Sequence, residues 1–187
     1  APERPCPAGM QDTLTASRWL LEQGVEPNKI VIVGESAGGG LCLASLLAIR
    51  AENLPLPAAG VALSPWTDLT CSGESYRTNA LKDISTLGSW DIWSGYYVGS
   101  NDPKHPWISP LYGDLHGLPP IMIQVGDHEI LLDDSLRFAE KARAAGVAMD
   151  LHVWEGMVHC FPLLAPMFPE ATQAWEETIG YIVRHLE

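Results

Sequence analysis

At 187 residues, with 47% hydrophobic and 18% charged content, the chain can bury one sizeable core and reads as a single globular domain over residues 1–187. A formal net charge of −12 speaks against nucleic acid or an anionic membrane surface as partner, since both need clustered Lys and Arg. No apolar run approaches the roughly 20 residues of a bilayer span, and the opening APERPCPAGM lacks the basic start and apolar centre of a signal peptide, so a soluble, cytoplasmic protein is expected.

In chain order, residues 10–23 place Leu14, Trp19 and Leu20 near one face and run into Gly24 and Pro27, a helix with its stop. Residues 30–33 are apolar and β-branched throughout, as expected of a parallel strand covered on both faces. A helix over 41–51 and a buried strand over 60–63 come next. The irregular stretch 67–118 is too long for an ordinary loop and is read as a cap or lid insertion with its own helix around 87–98. A third strand spans 121–125. Leu132, Leu136, Ala139 and Ala142 mark the next helix, closed by Gly146; residues 149–154 alternate like a half-exposed strand; Trp175, Ile179, Ile182, Val183 and Leu186 form a last helical stripe. Strand-helix alternation of this kind predicts an α/β fold with a mostly parallel sheet flanked by helices. Cys6, Cys42, Cys71 and Cys160 are scattered without a C-x-x-C pair, which favours reduced thiols over a zinc or redox motif.

The chemistry centres on Gly34-Glu35-Ser36-Ala37-Gly38, set between a buried strand and a helix. In that context G-x-S-x-G is a nucleophile elbow: small flanking residues let strand and helix approach, Ser36 is forced into a strained turn, and the Ala37 N–H faces any oxyanion formed there. A glycine-rich helix start that merely packs well is the plainer alternative. A phosphate cradle is not, because no Gly-Lys-Ser/Thr comes after it. A serine needs a base and an orienting acid, in the order Ser, acid, His. Among the six histidines, only His159 falls in a loop after the last strand. For the acid, VGDHEILLDDS offers Asp127, Glu129, Asp133 and Asp134, the last two suiting a helix N-terminus. A metal site at His128 and Glu129 would need a second His where Leu132 stands, so no metal is expected.

Through GESAGGG, SPWTDLT, ISPLYGDLHGLPPIMIQVG, EILLD and EGMVHCF, the sequence resembles the hormone-sensitive-lipase-like, or bacterial type IV, esterases of the α/β-hydrolase superfamily along essentially its whole length. The resemblance implies an α/β-hydrolase fold. It also places the acid at the head of a D-P-L-x-D pattern, which lands on Glu129 with Glu for the usual Asp; Asp127 is the alternative. The same resemblance implies a cofactor-free Ser36-His159-Glu129 triad that hydrolyses short- to medium-chain acyl esters; Trp66, Trp90, Trp93 and Phe161 are the pocket candidates, and an equally plain reading places several of the chain's aromatics in the core. A non-catalytic ligand-binding relative, like the plant gibberellin receptors, or a serine peptidase of the same superfamily would be the other readings. The resemblance further implies a homodimer through strand 149–154, whose outer edge carries unpaired backbone groups. The family's H-G-G-G oxyanion loop is absent from the sequence, so the chain is expected to be the C-terminal portion of an esterase, with an N-terminal segment supplying that loop.

Overall fold

The computed structural model describes residues 1–85 and 89–187. Its centre is a four-stranded sheet in the order β1-β2-β3-β4, with β1 (Val31–Glu35), β2 (Ala59–Leu63), β3 (Ile121–Gly126) and β4 (Met149–Trp154). Every neighbouring pair is parallel, in registers such as Gly34↔Ala62 and Ile123↔Leu151. β2 and β3 are buried at every position because helices cover both faces, which is why they read as unbroken apolar runs.

On one face, α2 (Ser36–Ala51) sends Leu43, Leu46 and Leu47 against Ala62, Ile121 and Ile123, joined by Phe138 of α5 (Leu132–Ala144). On the other, Tyr181 of α6 (Pro169–Leu186) packs on Val61, Leu63 and Met122. The alternation along β2 therefore feeds two cores, each fully buried Leu, Ile or Phe contributing about 1.5–3 kcal/mol. α1 (Ala8–Glu22) lies outside α2 and buries Met10 and Leu14 against Ala44, Ala48 and Ile49.

Several boundaries differ from those expected. β1 begins at Val31 because Ile30 closes a 3₁₀ turn over Pro27–Lys29, and it continues through Glu35, whose register partner is Leu63. α2 begins at Ser36, five residues before the expected start at 41: the strand turns straight into helix, and packing on β1 and β2 overrides the poor helix propensity of three successive glycines. α6 begins at Pro169 rather than near 175, since proline at the first helical position loses no intrahelical hydrogen bond.

Among its described residues, stretch 67–118 holds two α-helices, α3 (Ser75–Thr78) and α4 (Trp90–Val98). The expected start of the second at 87 lies outside the described residues. The stretch is moored to α5 by carboxylates whose sequence position suggests only a helix terminus. Asp134, fully buried, accepts the N–H groups of Thr67 (2.8 Å) and Asp68 (2.7 Å), while Asp133 accepts that of Ser75 (3.0 Å). Asp68 in turn meets Arg137 at 3.1 Å. Burial pushes the Asp134 carboxyl up to about 8. The sheet ends at β1 and β4, and Val33 of β1 is 44% exposed.

Candidate active site

The carboxyl ends of β1, β2 and β3 and the loop after β4 converge on one point. At the end of β1 the chain reverses at Ser36, whose φ of 51° is left-handed, a conformation that costs a residue with a Cβ about 1–3 kcal/mol and persists only where its surroundings enforce it. The enforcement is visible at Gly34: a Cβ there would sit 2.1 Å from the Gly38 carbonyl oxygen, so only glycine lets the strand end and the helix start come this close. Trp66 N–H holds the other side of the turn, donating to the Ser36 carbonyl at 3.0 Å. Ala37 stands in the first turn of α2, where backbone N–H groups have no intrahelical partner.

Ser36 Oγ lies 2.9 Å from His159 Nε2, and His159 Nδ1 lies 3.2 Å from Glu129 Oε2. The three side chains expected to act together are thus brought together, with Glu129 fully buried and the His159 side chain 14% exposed. The other carboxylate oxygen of Glu129, Oε1, accepts the Gly126 N–H (2.7 Å) and the Ser64 hydroxyl (2.7 Å). Burial pushes the Glu129 carboxyl up, against the pull of His159, Gly126 and Ser64 toward the ionised form. Gly126 has a second role. A Cβ there would meet the Met157 carbonyl oxygen at 2.1 Å, so its absence lets the loop carrying His159 lie against the end of β3.

Asp127 is not at the imidazole. Its Oδ1 accepts the Gly156 N–H at 2.7 Å and faces His128 at 3.9 Å, so it pins the start of the same loop from the solvent side. The two-residue difference is decided by the tight turn after β3, in which Glu129 N–H returns to the Gly126 carbonyl and folds the Glu129 side chain inward. Of the remaining histidines, His152 pairs with Glu177 (2.9 Å), His116 with Asp114 (2.6 Å), and His185 meets the Tyr181 carbonyl (2.8 Å).

Three of the four aromatic pocket candidates stand at the site. Trp66 and Trp90 meet edge to face at 4.6 Å, Trp90 and Trp93 at 5.5 Å, and Trp90 packs edge-on to the His159 ring at 5.8 Å. Together with Ile84 and Ser85 they wall a cavity of about 480 Å³ that opens on Ser36, Ala37 and His159. A second cavity of about 260 Å³, lined by Leu41, Leu69, Tyr97, Trp107 and Ile108, shares Ala37, Trp66 and Trp93 with the first. Phe161 corrects the expectation. It is fully buried against Ala171 and Ala174, tilted on Trp154 at 5.6 Å, because the 3₁₀ turn Phe161–Leu164 aims it under α6 and away from the serine.

Three neighbours of the site carried no motif. Ser64 directly follows β2, has φ 48° and is completely buried. Asp83 accepts the His159 N–H (2.9 Å) and the Ile130 N–H (2.9 Å), tying stretch 67–118 to both loops that carry the site. Cys160 Sγ lies 3.3 Å from His159 Nε2, but burial and the adjacent Glu35 push its thiol far up, so it stays protonated and does not compete with Ser36 as a nucleophile. Among the described residues, no group of three or more His, Cys, Asp or Glu could hold a metal ion, and no helix is long and apolar enough to cross a membrane.

A family model described as the alpha/beta hydrolase fold matches residues 1–163. The chain is 42% identical over 177 residues to an acetyl-hydrolase of Streptomyces hygroscopicus, covering 94% of this chain and 59% of that protein. It is 40% identical over 177 residues to an esterase of Acinetobacter venetianus, covering 93% and 58%. It superposes on the crystal structure of an esterase from the bacterial hormone-sensitive lipase family with a TM-score of 0.97 at 46% identity, covering 100% of this chain and 63% of that one. The chain spans about three fifths of the length of the curated relatives it matches.

Proposed function

The chain belongs to the α/β-hydrolase fold family, and from that premise we propose that its protein is a carboxylic ester hydrolase acting on short- to medium-chain acyl esters. Ser36 is the nucleophile, His159 the general base and acid, Glu129 the group that orients the imidazole, and Ala37 N–H one donor to the oxyanion. The observation that carries this reading is the continuous Ser36–His159–Glu129 hydrogen-bond chain on the floor of an apolar cavity.

The geometry sets the order of proton movements. With Nδ1–H committed to Glu129, Nε2 holds the free lone pair and takes the Ser36 proton as Oγ attacks the ester carbonyl. Charge then develops on the carbonyl oxygen beside the unpaired N–H groups at the start of α2, and the imidazolium returns its proton to the departing alcohol. Water then attacks the acyl carbon as Nε2 takes its proton, the bond from that carbon to Ser36 Oγ breaks, Nε2 returns the proton to Oγ, and the acid leaves. The apolar walls formed by Trp66, Trp90 and Trp93 support an acyl or alcohol group of modest size rather than a charged one.

A serine peptidase would use the same three side chains, and a ligand-binding relative would use only the cavity. The named activities of the two relatives, acetyl-hydrolase and esterase, favour the ester. A fluorophosphonate probe applied to the full-length protein should label one residue, and peptide mapping should find it at Ser36. No adduct, or an adduct elsewhere, would defeat the reading as an enzyme, and turnover of a peptide amide in preference to its ester would defeat the reading as an esterase.

The sheet edges bear on partners. We read 1–187 as part of one catalytic domain, with 67–118 as its cap, in which further polypeptide pairs with the outer edge of β1 and adds oxyanion donors beside Ala37. An apolar edge such as Val31 to Val33 left open to water would template aggregation. The outer edge of β4 is the surface for a second copy, a homodimer. Native mass spectrometry combined with light scattering should therefore find twice the mass of a protomer longer than this chain; a monomer at high concentration would remove the β4 interface.

A further inference from the structure

Ser64 has three properties that a packing residue at a strand end does not need together. It is completely buried, it holds a left-handed φ of 48°, and its hydroxyl is fully engaged. Cys160 N–H donates to Ser64 Oγ at 3.0 Å, and Ser64 Oγ lies 2.7 Å from Glu129 Oε1. Because the amide must be the donor in the first contact, the hydroxyl proton is free for the second and points at the carboxylate. One side chain at the end of β2 thus clasps both Glu129 and the residue immediately after His159, groups that come from different loops.

We propose that Ser64 is a positioning residue of the active site, whose hydroxyl locks the Glu129 carboxylate and the His159 loop into the one arrangement that keeps Nδ1–H on Glu129 and the Nε2 lone pair on Ser36. The inference rests on the ester-hydrolase reading for its effect on turnover. With Ser64 and Gly126 both donating to Oε1, only Oε2 is left for the imidazole, which fixes where Nδ1 must sit. The anchor on Cys160 N–H fixes the height of the ring above Ser36. The left-handed φ is what turns the Ser64 side chain back toward these loops; an extended residue at that point would continue the strand.

The charged and titratable groups facing the Glu129–His159 pair are Asp83 on the His159 N–H, Cys160 at Nε2, and Glu35 behind Cys160. Ser64 is the only side-chain hydroxyl on the Glu129 carboxylate among the described residues. Removing it takes a donor from the ionised carboxylate, so the pair takes up its first proton more readily, whether that proton resides on Glu129 or on His159. The acid limb of kcat/KM then moves to higher pH.

The variants are Ser64→Ala and Ser64→Gly in the full-length protein: alanine keeps the Cβ that serine already carries at φ 48° and loses only the hydroxyl, while glycine removes the Cβ as well but adopts that φ without strain, so a loss common to both belongs to the hydroxyl. Both should lower kcat by about 10–100-fold, the range of a hydrogen bond to a charged group, with KM changed less than about threefold. The acid limb should rise by about half a pH unit or more. Proton NMR gives a readout independent of turnover. The low-field His159 Nδ1–H resonance should shift or broaden in Ser64→Gly, and it reports on Ser64 even if the ester-hydrolase reading itself fails, which Ser36→Ala would show separately. A Ser64→Gly protein with wild-type kcat, acid limb and Nδ1–H resonance overturns the proposal, as does one whose kcat falls with melting temperature while the acid limb and the resonance stay in place.

Discussion

Ser36→Ala in the full-length protein is expected to lower kcat on p-nitrophenyl acetate by roughly 10⁶, with little change in KM, as removing the nucleophile of a serine triad does. The size reflects what the hydroxyl does in the structure. Its contact is His159 Nε2 at 2.9 Å, so losing it removes both the attacking atom and the proton that the base would take. The fold should not notice. Alanine bears the same Cβ as serine, so the φ of 51° costs no more than before, and the elbow is held by Gly34 and by Trp66 N–H rather than by the serine side chain. The melting temperature should therefore stay within about 2 °C of wild type, the shift that a surface-type change of about 0.5 kcal/mol would give. A Ser36→Ala enzyme that turns over ester within tenfold of wild type would end the reading of Ser36 as nucleophile.

The parts of this molecule that could be read in the sequence are those written in local pattern. β2 and β3 are buried on both faces, so their apolar runs have no competing explanation, and Gly34, just before Ser36, is demanded by a backbone contact with Gly38 close to it in the chain. His159 was legible from topology, because a loop after the last strand delivers its side chain to the strand ends where Ser36 stands. The acid was harder. Asp127 and Glu129 differ by two residues, and the choice is made by a turn whose direction depends on Gly126 N–H meeting Oε1 and on Asn79 Nδ2 bonding the Asp127 and Glu129 carbonyls from stretch 67–118. Ser64 and Asp83 were not legible at all. Each acts on a loop distant in sequence, Ser64 on residues 65 and 96 positions away and Asp83 on residues 47 and 76 away, and their residue types carry no pattern. Phe161 went the other way: named as a pocket candidate, it is sent into the core under α6 by the 3₁₀ turn.

Glu129→Gln is expected to lower kcat by roughly 10⁴ while leaving the protein folded, the loss known when the acid of such a triad becomes an amide and the imidazole takes the wrong tautomer. Here the surroundings dictate which way the amide must face. Gly126 N–H and the Ser64 hydroxyl both point at the Oε1 position, so the amide oxygen has to occupy it, and the amide NH₂ is left where Oε2 meets His159 Nδ1. Two N–H groups cannot face each other at 3.2 Å, so Nδ1 gives up its hydrogen and becomes an acceptor, and the hydrogen moves to Nε2. The nitrogen that should take the Ser36 proton then already carries one. Glu129→Asp keeps the charge and the correct tautomer but retracts the carboxylate by one methylene, so it should retain far more activity than Glu129→Gln while losing part of its hold on Ser64 and Gly126. The two variants thus separate charge and tautomer from reach. If Glu129→Gln kept kcat within about tenfold of wild type, the imidazole would not depend on this carboxylate for its tautomer, and the role of Glu129 would have to pass to another group; equal losses in the two variants would mean that reach, not charge, is what His159 requires.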